Sequence, residues 1–314
     1  MTRPIANPAH APARTRRRQR TSTLLRSALL AALVLTCVVA APVVLGFLRG
    51  GGTSGPGPAR VEGQVALGGL ESGACMSFAP AAGTASKTVF IDPGHGGLDP
   101  GVVGQSGGQD VQEKDVALAV GTRLAAMLQS DGYHVVLSRT KDSSVMKFSP
   151  SDTETGALKN SSIEHDLVTR AACANASNAT MLLSIHFNAF ADPTVGGTET
   201  FYDSVRSFAD ANKRLAVDVQ HAVVSALGTT DRGLWTDDQL STALTPAGSA
   251  YGHLILLGPA QPGYVDTPSQ MSGALVEPLF LTNESEARLA ASASGQQQIA
   301  EALRAGVERY LSGS

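Results

Sequence analysis

From Lys87 onward, short apolar runs alternate with longer amphipathic stretches. That alternation predicts an α/β fold: a single domain with a mostly parallel, twisted central sheet of about six strands flanked by helices, following an N-terminal transmembrane helix. Three observations carry the expectation. Strand-like runs recur at 88–92, 133–140, 181–189, 197–203, 254–257 and 274–281. Helical segments lie between and after them at 110–130, 163–178, 208–227, 284–291 and 296–311, and in the first of these Val116, Val120, Leu124, Met127 and Leu128 form one stripe at steps of three and four. The first run, Val89-Phe90-Ile91, breaks at Asp92-Pro93 into a loop where Gly94, Gly96, Gly97 and Gly101 permit sharp turns beyond a strand end.

The N-terminal part divides by composition. Residues 1–26 are rich in Ala, Pro and Arg, with a basic cluster at Arg14, Arg16, Arg17, Arg18 and Arg20. Residues 27–48 are 22 positions without a charge, enough to cross a hydrocarbon core of about 30 Å at roughly 1.5 Å per residue. Positive charge ahead of this run orients the N-terminus to the cytoplasm, which makes 27–48 a signal anchor and places everything after it outside. A cleaved signal peptide, with a weak site at Val39-Ala40-Ala41, is the alternative and would give a secreted protein. Residues 49–86 read as a Gly/Pro-rich linker and stalk, of which 61–86 either pack on the domain or extend the stalk, and 87–314 as the functional domain, expected to be monomeric.

Charge and cysteine usage agree with export. All eight charges in residues 1–50 are arginines, so the remainder holds 16 basic against 27 acidic side chains, a balance of −11. An acidic domain lacks the electrostatic footprint of a nucleic-acid partner, and that class is excluded. Cys37 lies in the apolar run. Cys75 and Cys173 form an even pair in the exported part, where a disulfide is expected and two buried thiols are the alternative.

In an open α/β sheet, sites form beyond the carboxyl ends of the strands, so the informative residues are the ionisable ones placed there. His95 follows the first strand in the glycine loop. His186 lies near the end of the third, sharing a face with Ser184 and Asn188, and Glu277 interrupts the last apolar run. Glu113 opens the helix after the glycine loop, although Asp110-x-x-Glu113 also fits a helix capping box. Two histidines and a glutamate suit a catalytic zinc ion with one position left for water, and a second glutamate then supplies the base. His134, His165, His221 and His253 fall away from this rim.

The motifs I-D-P-G-H-G-G-x-D-x-G, Glu113-Lys114, S-R-T at 138–140, R-x-x-x-A-N at 170–175, S-I-H-F-N-A at 184–189 and V-E-x-x-F-L-T-N at 276–283 occur in this order. Together they resemble the zinc-dependent N-acetylmuramoyl-L-alanine amidases over about residues 87–311. The resemblance implies one Zn2+ bound by His95, Glu113 and His186, with Glu277 as the catalytic glutamate. It also implies a peptidoglycan or muropeptide substrate, cut between N-acetylmuramic acid and the L-alanine of the stem peptide. Asn188 and Arg170 are candidates for substrate contacts, Arg170 equally for an ion pair within its helix, and Glu199 for an acceptor that orients a ligand imidazole. Two rivals stay open: a catalytically silent wall-binding or regulatory protein, and a zinc peptidase acting within the stem peptide. The long unperiodic stretch 141–162 and the Gly/Pro-rich 237–270 have open roles at this stage, over the cleft or in recognition.

Overall fold

Alternation of side chains along the core strands decides the layering. In the computed structural model, which describes residues 60–83, 87–239 and 251–313, strand β3 (Thr88–Pro93) turns Val89 and Ile91 to one hydrophobic core and Phe90 to another. The elements before it are β1 (Arg60–Gln64) and β2 (Ala74–Ala79). After it come a hairpin, β4 (Val103–Ser106) and β5 (Gln109–Gln112), then α1 (Glu113–Ser130) and β6 (His134–Arg139). A two-residue hairpin, β7 (Thr153–Glu154) and β8 (Ala157–Leu158), precedes α2 (Asn160–Ala176), β9 (Met181–Ile185) and β10 (Thr198–Tyr202). The described chain ends with α3 (Ala209–Leu227), β11 (Asp231–Thr236), β12 (Ser272–Glu277), α4 (Glu284–Ala291) and α5 (Ala293–Ser312).

The first core joins Val89, Ile91, Leu183 and Val276 to the apolar stripes of α1, α3 and α5. The second sets Phe90, Val136, Leu182 and Leu275 against α2 and Leu254, Leu256 and Leu257. Helices therefore cover both faces of one sheet, as the alternation of segments predicts.

The sheet itself differs from the expected one. It has eight strands in the order β1-β2-β6-β3-β9-β12-β10-β11. The central β6-β3-β9-β12 are parallel, whereas β2 pairs antiparallel with β6 and β10 antiparallel with β12. Two causes account for the mixture. Residues 60–79, read as stalk from their irregular composition, supply β1 and β2 to the sheet. The link from β9 to β10 carries no helix, so the chain turns back on the same rim and β10 runs in reverse. The expected strand at 254–257 is instead a turn, closed by Leu257 N and Gly258 N donating to Leu254 O; its leucines are apolar because they pack on the sheet. The helix expected from residue 110 begins at Glu113, since 109–112 are spent on β5. The stretch 141–162 is no open loop: it holds the β7–β8 hairpin and the start of α2. Among the described residues no helix is long and apolar enough to cross a membrane; the apolar run 27–48 lies outside them.

Cys75 in β2 and Cys173 in α2 are joined by a disulfide that closes 98 residues of sequence and ties α2 to the strand next to the edge of the sheet. A loop of this length restricts the unfolded chain enough to contribute about 2–5 kcal/mol. Denaturant unfolding of the Cys75→Ser/Cys173→Ser variant is expected to show a loss of that size. Reductant should bring the wild type to the variant's midpoint and leave the variant where it is. Equal stability of the two oxidised proteins would assign the α2 contact to packing alone.

Candidate active site

Strands β3, β9 and β12 are parallel neighbours, so the residues just past their ends emerge on one rim. β3 delivers the glycine loop with His95, β9 delivers His186, and β12 ends on Glu277. The β4–β5 hairpin steers the chain so that α1 opens with Glu113 aimed at the same point. The capping-box reading of Glu113 does not hold: the N-cap is Gln112 and makes no side-chain cap.

The three ligand-type atoms converge. His95 Nε2 lies 3.1 Å from Glu113 Oε1, His186 Nδ1 lies 2.9 Å from the same oxygen, and the two nitrogens are 3.1 Å apart. Nitrogen and oxygen ligands at about 2.0–2.1 Å from a tetrahedral zinc ion sit roughly 3.3 Å from one another. The triangle is within a few tenths of an ångström of that spacing, so the donor set fits such an ion.

Each donor is also held from behind. Asp99 Oδ2 accepts from His95 Nδ1 at 2.8 Å, which orients the ring with Nε2 toward the cluster. Glu113 Oε1 accepts from Phe187 N at 2.9 Å and Oε2 from Val102 N at 2.8 Å. Burial opposes ionisation of Glu113, but the His95 charge and the hydrogen bonds from both histidines outweigh it and hold the carboxyl far below its usual range. Burial likewise opposes protonation of His95, and the Glu113 charge with the Asp99 hydrogen bond lifts it to about 10. The cluster is thus built to attract positive charge.

Close approach requires glycine at two loop positions. A Cβ on Gly94 would lie 2.4 Å from His186 Nε2, and one on Gly101 would lie 2.5 Å from Glu113 Oε2. His95 itself has φ 58°, a left-handed conformation that few non-glycine residues adopt and that recurs at functional sites.

Glu277 is 5% exposed, and its Oε2 has no hydrogen-bond partner. Burial, then the charge of Glu113, pushes its carboxyl well above the usual range. A dry, unpartnered carboxyl beside a cation-attracting cluster is what a proton-transferring group requires.

Arg170 and Asn188 are occupied by the protein. Arg170 is buried, and its guanidinium donates to Asp166 Oδ2 (2.9 Å), Asp92 Oδ1 (2.8 Å), Pro93 O (3.0 Å) and His95 O (2.7 Å). A side chain committed in this way positions the loop; it has little left to offer a substrate. Asn188 Nδ2 donates to Glu199 Oε2 at 2.9 Å. Glu199 faces Asn188 and Arg232, 2.5 Å away, and not a ligand imidazole; Asp99 takes the orienting role instead. Two contributors were missed in the sequence. Asp99 was visible only as the second acid of the glycine loop. Arg139, within S-R-T, is fully buried and donates to Pro93 O (3.0 Å), Gly94 O (2.8 Å) and Lys114 O (2.7 Å), bracing the loop from the side opposite α2.

A cleft of about 180 Å³ opens beside His95 and His186, walled by Phe148 and Leu158 from 141–162, Leu167 of α2, and Leu254 to Leu256 from the 237–270 stretch. The two long insertions therefore build the walls of the site.

Residues 89–309 match the family model described as N-acetylmuramoyl-L-alanine amidase. The chain is 32% identical over 242 residues to an uncharacterized protein, YqiI, of Bacillus subtilis, an alignment covering 76% of this chain and 93% of that one. It is 31% identical over 224 residues to the N-acetylmuramoyl-L-alanine amidase LytC of the same organism, covering 71% of this chain but 35% of LytC. Among solved structures, the CwlD amidase of Clostridioides difficile, determined in complex with the GerS lipoprotein, is similar with a TM-score of 0.57 and 28% identity, over 73% of this chain and 100% of that one. An N-acetylmuramoyl-L-alanine amidase of Clostridium difficile 630 is similar with a TM-score of 0.53 and 31% identity, over 74% of this chain and 100% of the other. Fold, order of motifs and the span of the match agree, and the chain belongs to the N-acetylmuramoyl-L-alanine amidase family.

Proposed function

We propose that this protein hydrolyses the amide joining N-acetylmuramic acid to the L-alanine of peptidoglycan stem peptides, with one zinc ion held by His95, Glu113 and His186. The observation that carries the reading is the pairing of the three-atom cluster with the buried, unpartnered carboxyl of Glu277. When bound there, zinc supplies a Lewis acid for the scissile carbonyl and lowers the pKa of water toward about 7. Glu277 takes the proton from the attacking water and returns it to the leaving amine of L-alanine. Asp99 keeps the His95 tautomer fixed, and Arg170 and Arg139 hold the loop so that the ring does not wander. The cleft walls of Phe148, Leu158 and Leu254 keep the reacting groups partly dry, which strengthens the electrostatics inside.

The domain acts outside the cytoplasm in this reading, tethered by residues 27–48. The Cys75–Cys173 bond supports that compartment, since disulfides persist where conditions oxidise thiols.

The test is product analysis by mass spectrometry after the zinc-loaded full-length chain, in mild detergent, has digested purified peptidoglycan. Free stem peptides beginning at L-alanine are expected. Cleavage inside the stem would make the protein a peptidase, and no release at all would make it a binding protein. Glu277→Gln is expected to lower kcat by roughly 10²–10⁴-fold with zinc content unchanged; loss of zinc in that variant would contradict the role given to Glu277. His95→Ala should cost the one equivalent of zinc held at the His95–Glu113–His186 cluster. Asp99→Asn should weaken zinc affinity by about 10–100-fold, read by competition with a chromogenic chelator.

A further inference from the structure

The opposite rim of the sheet holds a second convergence of ligand-type side chains. Strand β10 runs antiparallel to β12, with Glu199 opposite Glu277 and Phe201 opposite Leu275. Glu199 is therefore at the catalytic rim. Asp203, four residues further along, is at the other, about 13 Å away at roughly 3.3 Å per residue. Strands β10 and β11 are parallel, with Tyr202 beside Thr236. The next residues of each, Asp203 and Asp237, leave the sheet side by side, and both are fully buried. His253, from the 237–270 stretch, meets them: its Nδ1 lies 3.1 Å from Asp237 Oδ2 and 3.4 Å from Asp203 Oδ2.

We propose that Asp203, Asp237 and His253 form a second divalent-metal site, structural in role, that ties the 237–270 insertion to the ends of β10 and β11. The spacing is that of ligands around one ion, all three atoms lying within 4.8 Å of one another. An independent observation points to a missing partner. Asp203 Oδ2 is buried and has no hydrogen bond, although the other oxygen, Oδ1, accepts from Val205 N (3.0 Å) and Arg206 N (2.7 Å). A buried carboxylate oxygen without a donor is costly, and a cation satisfies it. The nearby cation is no substitute: Arg206 spends its donors on Leu257 O, Gly258 O and Ser269 O. Two carboxylates and one imidazole select a zinc-like transition ion over calcium or magnesium, which take all-oxygen sets.

The site would have a consequence at the catalytic rim. His253 immediately precedes Leu254, Ile255 and Leu256, which form a wall of the cleft beside His95. Anchoring His253 fixes that wall, so an ion at one rim sets the shape of the cleft at the other.

The test is zinc stoichiometry of the full-length chain in mild detergent, stripped by chelator and dialysed against buffered Zn2+. Two equivalents per chain are expected for the wild type and one for His253→Ala. The His95→Ala/His186→Ala variant should keep one equivalent, and its Tm should rise saturably with Zn2+. That rise should vanish when His253→Ala is added. A wild type that saturates at one equivalent, or a His95→Ala/His186→Ala variant that holds none, overturns the proposal. These readouts do not depend on catalysis, so they stand apart from the assignment of the amidase reaction.

Discussion

The buried guanidinium of Arg170 is the constraint on which the site depends. It reaches from α2 to the carboxylate of Asp92 on the sheet face that α2 covers, and on to the carbonyls of Pro93 and His95. Asp92 is buried, and burial opposes its ionisation, yet the Arg170 charge and the hydrogen bond from the Ser184 hydroxyl hold it below the usual carboxyl range. An ion pair in such a place contributes little net stability, because desolvating both partners offsets their attraction, but removing one partner costs about 3–5 kcal/mol. The left-handed backbone of His95 is a strain of about 1–3 kcal/mol. What holds the strained turn is the set of bonds made from outside it. Arg170 donates to Pro93 O and His95 O and Arg139 to Pro93 O and Gly94 O, so the loop cannot relax without leaving buried guanidinium groups unpaired.

How much of this was legible in the sequence follows from the range of each interaction. The strands that became β3, β6, β9 and β12 announced themselves by continuous apolar runs, as strands buried on both faces do. The placement of His95, His186 and Glu277 followed from strand ends and period-two alternation, which are local properties. The strands in residues 60–79 carried no clear signal: β1, at the edge of the sheet, is Arg-Val-Glu-Gly-Gln and lacks an apolar run, and β2 beside it is Ala-Cys-Met-Ser-Phe-Ala. Leu254 to Leu257 misled in the opposite sense, since four apolar residues in a row fit a strand or a packed turn equally well. The pairing of Arg170 with a nearby carboxylate was within reach of the sequence and is made with Asp166, four residues away. Its contacts to Asp92 and the loop carbonyls, like those of Arg139 to Pro93 and Gly94, join residues tens of positions apart and could not be placed. Asp99 was nearer at hand, four residues after His95, but loop geometry decided its contact.

The electrostatics of the catalytic rim run in one direction. Glu113, Asp99, Glu277 and Glu199 gather around two histidines, and the neighbouring arginines are committed to other contacts: Arg170 to Asp92 and Asp166, Arg232 to Glu199. The protein resolves this excess at Glu113 by drawing charge onto His95 and at Glu277 by resisting ionisation. A divalent cation among His95, Glu113 and His186 would neutralise the same excess more completely. It would also leave Glu277, whose Oε2 has no hydrogen-bond partner, as the carboxyl of this rim without a fixed partner.

The mixed sheet explains why the two rims need different solutions. Parallel strands β3, β9 and β12 all send their carboxyl ends one way, so a shared site forms there by topology alone. Reversal at β10 exports two more strand ends, those of β10 and β11, to the opposite rim, where Asp203 and Asp237 emerge in register. Two adjacent buried carboxylates repel, and a fold would be expected to avoid them unless something between them compensates. His253 supplies a first compensation by bridging both. It also commits the insertion that carries it to the sheet, and through Leu254, Leu256 and Leu257 commits that insertion to the core beneath the cleft. The antiparallel reversal thus does more than close the edge of the sheet. It creates the anchoring point from which the wall of the active-site cleft is hung.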